Sequence, residues 1–409
     1  MPRKILLTCS DANSLRNFRG RLIASLRESG NEVVAVAPGF PPEIAAWCDE
    51  LGVGMERTSL DNQSLNPLRD LAALAGLHRI VRRHRPDVVM GYTHKPALYT
   101  AFAAKLAGVP HVTMMVTGIG FGFEPGKGAL RKVVPAITRT LFRIGCSASA
   151  TVIFHNKDNR DFFLAEKLLK DRRKAVVVGG SGVDLSYFRP LPFEPAEPSE
   201  MTFLLIARIV RYKGILEYAQ AAKALRERFP KAKFLLAGYR DSNPLAYSDV
   251  EWRFIQEQVD YVGPSSDVRS LYGQAHVYVL PSYGEGMPRT VLEAMACARP
   301  IITTDTYGCR DTVDPGVNGY LVPVREWEPL RDAMERFLSG EASISEMGAA
   351  SLARVRELFD VEKVNQDTLK ALGIEAESAS FGPRESTAGG RHDDPSSASR
   401  RARPLRGSP

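Results

Sequence analysis

The sequence predicts an α/β protein made of two domains, each built around a parallel sheet. The chain has 409 residues, which is enough for two domains with separate cores. It opens with a strand at residues 4–8, a helix at 17–28 and a strand at 32–37, the βαβ order typical of a parallel sheet. A second series begins with an apolar strand at residues 202–206 and a helix at 215–229. Two such domains imply a cleft between them.

The composition is that of an ordinary globular protein, with 44% hydrophobic and 25% charged residues. The net charge of +7 favours an anionic partner, which could be a nucleotide sugar, an acidic lipid headgroup or nucleic acid. Five scattered cysteines without Cys-x-x-Cys spacing indicate neither a disulfide framework nor a zinc site, so a reducing cytoplasm fits best. No apolar run approaches the length of a bilayer span, and the one at residues 5–7 is too short for a secretion signal.

The first domain contains two segments with clear functional implications. The connection at residues 10–14 has no glycine, which argues against a dinucleotide-binding fingerprint and an NAD enzyme. Residues 67–84 predict a helix whose end is rich in arginine, where cations either complement the helix dipole or bind a ligand. The residues expected to face inward on this helix are Leu68, Leu71, Leu74, Ile80 and Val81.

Two further strands of the first domain, at residues 87–90 and 111–116, deliver polar residues at their carboxyl ends. His94 follows the first strand, and Thr117 and Gly118 follow the second. Ligands of open α/β sheets bind at such ends, so His94 is a better candidate for a functional group than a histidine elsewhere would be.

Changes in amino-acid composition along the chain predict the domain boundaries. The segment at residues 190–200 is rich in proline and predicts a linker between a first domain at 1–189 and a second at 201–345. Residues 346–373 predict helices. Residues 374–409 contain almost no large apolar side chains, so we expect a disordered tail.

The second domain carries the strongest chemical signals. Arg208 and Lys213 lie between a strand and the start of a helix, where helix amides and two cations suit a diphosphate. The apolar run at residues 276–280 predicts a strand that feeds a glycine-containing loop and then a helix ending before Pro300. Glu285 lies on that loop and Glu293 about two helical turns later, so the two carboxylates can reach different hydroxyls of one ligand.

The Glu285-x7-Glu293 spacing, together with Arg208 and the Lys213-Gly214 pair, resembles the retaining glycosyltransferases of family 4. Their fold is GT-B, in which two Rossmann-like domains face each other across a cleft. The loop with Thr117 and Gly118 resembles the branch that extends polyprenyl-diphosphate-linked oligosaccharides. The resemblance covers roughly residues 1–373, and in this fold the helices at 346–373 cross back onto the first domain.

The resemblance implies a role for each matching position. Glu285 and His94 would be the catalytic positions, and Thr117 and Gly118 would lie on the acceptor side. The positions implied for the donor are Arg208 and Lys213 at the diphosphate, Glu293 at the ribose, the backbone near Val262 at the base, and Gly286 and Met287 at the sugar.

The implied reaction is transfer of a sugar, an N-acetylhexosamine or related hexose, from a UDP-sugar to a lipid-linked saccharide, with retention, in surface polysaccharide or glycan biosynthesis. The chain has no Asp-x-Asp pair, so we expect neither a metal nor another cofactor. A soluble acceptor and a sugar-nucleotide epimerase of the same fold are the alternatives. Nucleic-acid binding is disfavoured because no aromatic and basic module accompanies the charge. A catalytically silent scaffold is disfavoured because both glutamates and both cations are present.

Residues 127–146 predict an amphipathic helix that could contact an anionic membrane. At about 100° per residue, one side collects Leu130, Val133, Val134, Ile137, Leu141 and Ile144. The other side collects Arg131, Lys132, Arg139 and Arg143. This pattern favours peripheral attachment to the inner face of the cell membrane. The alternative is a surface helix whose apolar side packs on its own sheet and which bends at Pro135.

Overall fold

The computed structural model describes residues 1–60, 66–119, 123, 133–192, 197–240 and 246–374. The predicted tail at 374–409 lies outside the described residues apart from Ile374, which is buried. Residues 193–196 of the predicted linker also lie outside them.

The first half of the chain forms a seven-stranded sheet in which every pair of neighbours is parallel. Its strands are β1 (Lys4–Thr8), β2 (Glu32–Ala37), β3 (Gly54–Arg57), β4 (Val88–Tyr92), β5 (His111–Val116), β6 (Thr151–Phe154) and β7 (Ala175–Val177). The order β3-β2-β1-β4-β5-β6-β7 reverses direction between β1 and β4. A crevice therefore opens at the carboxyl ends of these two strands.

The helices of the first half, as far as the structure describes it, are α1 (Asn13–Glu28), α2 (Pro42–Glu50), α3 (Pro67–His84), α4 (His94–Ala107), α5 (Val133–Ala148) and α6 (Lys157–Ala165). Helix α3 has the predicted bounds, and Ile80 and Val81 are buried as expected. The prediction for Leu68 and Leu71 was wrong, because these side chains are 76% and 64% exposed. The buried stripe of α3 centres on Leu77, and at about 100° per residue Leu68 lies on the opposite side.

The second half forms a six-stranded sheet that is also parallel throughout. Its strands are β8 (Thr202–Ile206), β9 (Lys233–Ala237), β10 (Asp260–Gly263), β11 (Val277–Leu280), β12 (Ile301–Thr304) and β13 (Gly319–Val322). The order β10-β9-β8-β11-β12-β13 places the second reversal between β8 and β11. The predicted fold class, α/β with two parallel sheets, is confirmed.

The helices of the second half are α7 (Ile215–Arg228), α8 (Asp249–Gln258), α9 (Val268–Gln274), α10 (Arg289–Ala296), α11 (Trp327–Leu338) and α12 (Ile344–Leu358). The last helix, α13 (Val361–Ala371), returns to the first sheet, where Val364 and Leu369 share a buried cluster with Ile5. The His111 ring is 3.1 Å from the carbonyl oxygen of Ala371. Among the helices of the described residues, none has both the length and the apolar character needed to cross a membrane.

Candidate active site

The loop after β8 and the loop after β11 lie against each other at the reversal point of the second sheet. Gly214, at the start of α7, has a φ of +70°, and a Cβ there would come 2.0 Å from the carbonyl oxygen of Pro281. Only glycine allows the backbone to approach this closely in that conformation. The turn thereby brings Lys213 beside the segment that carries Glu285.

Three residues predicted for the donor and the catalytic site meet around the ring of Tyr212. The Lys213 ammonium forms an ion pair with the Glu285 carboxylate, and these side chains are only 15% and 14% exposed. Arg208 donates a hydrogen bond to the Tyr212 hydroxyl. The Arg208 guanidinium carbon and the Lys213 Nζ lie 5.8 Å and 5.3 Å from the centre of that ring. Lys213 and Glu285 are thus largely withdrawn from water, Arg208 is exposed beside them, and two cations next to a carboxylate suit a diphosphate joined to a sugar.

Hydrogen bonds from the second half hold the Glu285 loop in place. The Tyr283 amide donates to the Tyr212 carbonyl at 2.8 Å, and the Glu285 amide donates to the Tyr307 carbonyl at 3.1 Å. The Ser282 hydroxyl donates to the same Tyr212 carbonyl at 3.0 Å. The loop conformation is therefore defined by backbone contacts, independently of the Lys213 ion pair.

The first half holds the same loop from the opposite side through Asn156. Its side-chain NH₂ donates to the carbonyl oxygen of Gly286 at 2.5 Å and to that of Glu285 at 3.4 Å. Its side-chain oxygen accepts from the Asn159 amide at 2.7 Å and so caps α6. Nothing local in the sequence indicates that Asn156, besides capping α6, contacts the Gly286 loop.

The predicted acceptor loop and the predicted donor loop are in direct contact. A Cβ on Gly286 would lie 1.6 Å from the carbonyl oxygen of Thr117, and a Cβ on Gly118 would lie 3.8 Å from the Gly286 backbone. Met287 packs close to Gly180, where an added Cβ would be 2.5 Å from the Met287 Cβ. The structure thus joins Thr117, Gly118, Gly286 and Met287 at the boundary between the halves.

Glu293 lies apart from this cluster, buried within α10 at 6% exposure. Its carboxylate accepts a hydrogen bond from the Tyr272 hydroxyl at 3.0 Å and pairs with Arg289 Nε at 2.8 Å. Burial raises the pKa of Glu293, and the Arg289 charge opposes that rise. Arg289 also donates to the carbonyl of Asn17 and stacks over Phe18 at 5.3 Å, so it links the two halves. Sequence reasoning missed this role of Arg289.

His94 occupies the reversal point of the first sheet, as its position after β4 predicted. It begins α4 directly after Thr93, whose φ of 68° is strained for a β-branched residue. Burial lowers the pKa of His94, so the imidazole is neutral at pH 7. Val262 lies on the edge strand β10 and is 48% exposed. Within the described part of the chain, no hydrogen bond or ion pair joins His94, Glu293 or Val262 to the Arg208, Lys213 and Glu285 cluster.

Helix α5 carries the predicted membrane-facing residues, although Arg131 and Lys132 lie outside the described residues. Arg139 pairs with the Glu166 carboxylate at 2.9 Å, and Arg143 donates to the Glu166 carbonyl at 3.3 Å. On the apolar side, Val134, Ile137 and Ile144 are 40%, 54% and 51% exposed. The alternative in which this side packs on its own sheet is therefore wrong for these three residues. The buried stripe of α5 instead includes Pro135, Phe142 and Cys146, and the last two share an apolar cluster with side chains of β5 and β6.

Models of known protein families match both halves of the chain. Residues 16–179 match the glycosyl transferase 4-like domain. Residues 191–353 match the glycosyl transferases group 1. The boundary between the two matches falls at the end of the first sheet, before β8.

Two curated relatives match over most of their length. One is the N,N'-diacetylbacillosaminyl-diphospho-undecaprenol alpha-1,3-N-acetylgalactosaminyltransferase of Campylobacter jejuni, 28% identical over 340 residues, which are 80% of this chain and 87% of the relative. The other is the UDP-Gal:alpha-D-GlcNAc-diphosphoundecaprenol alpha-1,3-galactosyltransferase of Escherichia coli, 26% identical over 287 residues, 67% of this chain and 72% of the relative. Both names describe a sugar acceptor attached to diphospho-undecaprenol.

Solved glycosyltransferase structures share the fold. The Anabaena protein HepE, in complex with UDP and glucose, superposes with a TM-score of 0.70 at 17% sequence identity. The match covers 91% of this chain and 99% of that protein. At this identity the likeness concerns the fold, and it confirms the predicted GT-B architecture.

Proposed function

We propose that this chain, which belongs to the glycosyltransferases with the GT-B fold, transfers a hexose or N-acetylhexosamine from a UDP-sugar to a saccharide linked to polyprenyl diphosphate. The relatives from Campylobacter jejuni and Escherichia coli support the acceptor class, because both act on diphospho-undecaprenol-linked sugars. The name of the second includes a UDP-linked donor, and the Anabaena neighbour was solved with UDP. Such an enzyme would serve the synthesis of a surface polysaccharide or glycan.

The observation that carries this proposal is the Lys213–Glu285 ion pair beside Arg208. When the bond between sugar and diphosphate breaks, negative charge grows on the leaving diphosphate. Lys213 and Arg208 offset that charge, which is the main electrostatic requirement of the transition state. Glu285, held next to Lys213, binds hydroxyls of the sugar that is transferred. Because the two cations supply the compensating charge, we propose that no metal is required.

We also infer that the configuration at the anomeric carbon is retained, since the Glu285-x7-Glu293 spacing resembles that of retaining enzymes. Glu293 would bind the ribose once its contact with Arg289 rearranges, and neutral His94 would donate a hydrogen bond to the donor sugar from the first half. Determining the anomeric configuration of the product by NMR tests this inference. An inverted linkage would contradict it.

The function itself is tested by donor binding and acceptor dependence. Calorimetry with UDP, several UDP-sugars and a GDP-sugar should show binding of the uridine nucleotides, with one sugar preferred. Release of UDP from the preferred donor should rise strongly when a polyprenyl-diphosphate saccharide is added, and Glu285→Gln should suppress this rise. If the purified protein converts the UDP-sugar to an epimer without an acceptor, the epimerase alternative is correct instead.

We further propose that α5 attaches the first half to an anionic bilayer, where a lipid-linked acceptor resides. The exposed side chains of Val134, Ile137 and Ile144 form the apolar surface. Arginines near the end of α3 and on α5 supply positive charge, and α4 packs against both of these helices. An apolar stripe flanked by cations is the pattern of interfacial membrane contact.

Co-sedimentation with liposomes tests this attachment. The parent should bind vesicles that contain anionic lipid at low salt and bind neutral vesicles weakly. Changing both Ile137 and Ile144 to Gln should reduce binding, whereas Val250→Gln should not, because Val250 is 78% exposed on the second half. Equal binding by the parent and the α5 variant would exclude this helix as the attachment site.

A further inference from the structure

Arg19 is a buried cation at the carboxyl end of the first sheet, outside the cluster described above. The residue lies on α1 and is 4% exposed. Its Nη2 lies 2.8 Å from the Met115 sulfur and 3.1 Å from the His155 Nε2. Its Nη1 donates to the Phe18 carbonyl at 3.4 Å, and its Nε is buried without a hydrogen-bond partner. The guanidinium carbon lies 5.3 Å from the centre of the Tyr92 ring.

No carboxylate among the described residues forms an ion pair with Arg19. Burial lowers the pKa of Arg19 to about 10, so the group remains charged at neutral pH. Burial and the Arg19 charge lower the pKa of His155, so the imidazole is a neutral acceptor. Burying a charge without a counter-ion costs free energy. A buried cation is therefore expected either to pair with a carboxylate of the protein or to lie where a bound anion supplies the opposite charge.

The surroundings of Arg19 connect it to the donor loop. Met115 is two residues before Thr117, whose carbonyl oxygen lies against Gly286. His155 is followed by Asn156, whose side chain holds the carbonyl of Gly286. The segments that contact Arg19 are therefore the same ones that contact the loop assigned to the donor sugar.

The second half covers this part of α1. Arg289 donates to the carbonyl of Asn17 and stacks over Phe18, the two residues that precede Arg19. Burial and, to a smaller extent, the Arg289 charge lower the pKa of Arg19.

We propose that Arg19 binds an oxygen of the acceptor's diphosphate. This inference rests on the proposed function. It adds a binding site for the acceptor's diphosphate in the first half of the chain. The donor diphosphate has its own cations in Arg208 and Lys213. In both curated relatives the acceptor is named as a sugar on diphospho-undecaprenol. In such an acceptor the diphosphate is attached to the sugar that carries the reacting hydroxyl, so its anionic oxygens lie close to the Gly286 loop during transfer.

The test uses Arg19→Met, which removes the charge while keeping an unbranched apolar stem. Because an unpaired buried charge is lost, the melting temperature should stay the same or rise. The kcat/KM for the acceptor should fall about 10- to 100-fold, the range for a hydrogen bond to a charged group. Binding of UDP and slow hydrolysis of the UDP-sugar should stay within about twofold of the parent, a change well below that range.

A second measurement needs no transfer reaction. With saturating UDP to occupy the donor diphosphate site, inorganic pyrophosphate and a short prenyl diphosphate should each raise the melting temperature of the parent and not that of Arg19→Met. The matched control is Arg299→Met, since Arg299 is also buried but donates to the Tyr272 carbonyl at 2.9 Å and the Pro192 carbonyl at 3.3 Å. That variant should lower the melting temperature and leave the pyrophosphate effect intact.

Three results would overturn the inference. The first is a parent that pyrophosphate does not stabilise, or a variant that it stabilises equally. The second is an Arg19→Met protein that loses as much thermal stability as Arg299→Met, which would show a structural arginine. The third is loss of UDP-sugar binding with an unchanged acceptor KM, which would assign Arg19 to the donor. Failure of the proposed function would instead appear in the parent, as UDP release that no lipid-diphosphate saccharide stimulates.

Discussion

Substituting Gly286 by Ala tests whether the contact between the two halves at this loop is required for catalysis. The added Cβ would lie 1.6 Å from the Thr117 carbonyl oxygen, whereas ordinary contact begins near 3.4 Å. The two loops must therefore move apart by about 1.8 Å, since backbone atoms on both sides cannot rotate away as a flexible side chain would. A displacement of about 1 Å in an active site can cost about 100-fold in rate. We expect kcat to fall at least about 100-fold.

The assay compares kcat with UDP affinity measured by calorimetry. UDP binding should be nearly unchanged, because Arg208 and Lys213 lie on a different loop, held by Gly214 against Pro281. The matched control is Gly39→Ala, where an added Cβ meets no atom within 4 Å. That control should keep parental activity. A Gly286→Ala enzyme with kcat within about threefold of the parent would refute the argument that the closed contact is part of the active state.

Four further outcomes follow from the site. Lys213→Ala should lower kcat/KM for the UDP-sugar about 30-fold, the loss of one charge-assisted contact, while Lys231→Ala at an exposed ion pair should change it little. Glu293→Gln should chiefly weaken UDP binding in calorimetry, whereas Glu285→Gln should chiefly lower kcat; the reverse pattern would exchange their roles. EDTA should leave the rate unchanged, and strict dependence on a divalent ion would contradict the metal-free proposal. Burial lowers the pKa of His94 below its ordinary value of 6.5, so the neutral imidazole predominates at pH 6.5 and above. Titration of His94 should therefore not cause a fall in kcat whose midpoint lies at pH 6.5 or higher.

The parallel sheets could be predicted because buried parallel strands are continuous apolar runs. Strands β1, β2, β5 and β8 have the predicted bounds, and the bounds of β4 and β11 differ from prediction by one or two residues. Strand β3 was missed, since its residues are exposed or half-buried at the edge of the sheet and show no apolar run. The inner face of α3 was misassigned at Leu68 and Leu71 because the amino end of that helix also carries leucines on its outer side.

The donor loop could be predicted because its residues are close in sequence to strand ends and helix starts. The contacts between the two halves could not be predicted from the sequence. Asn156 and Gly286 are separated by 130 residues, and Arg289 and Asn17 by 272, so no local pattern pairs them. Arg19 appears in the sequence as one more cation on a helix with several arginines. Only the fold shows that it is buried and that no carboxylate in the described part of the chain pairs with it.

Mass spectrometry of the acceptor after reaction with a UDP-sugar tests the proposed sugar transfer most directly. With an N-acetylhexosaminyl polyprenyl diphosphate as acceptor, we expect a product heavier by one sugar residue and release of one UDP for each sugar transferred. An unchanged lipid-linked acceptor, together with conversion of the UDP-sugar alone or extension of a soluble saccharide, would contradict it.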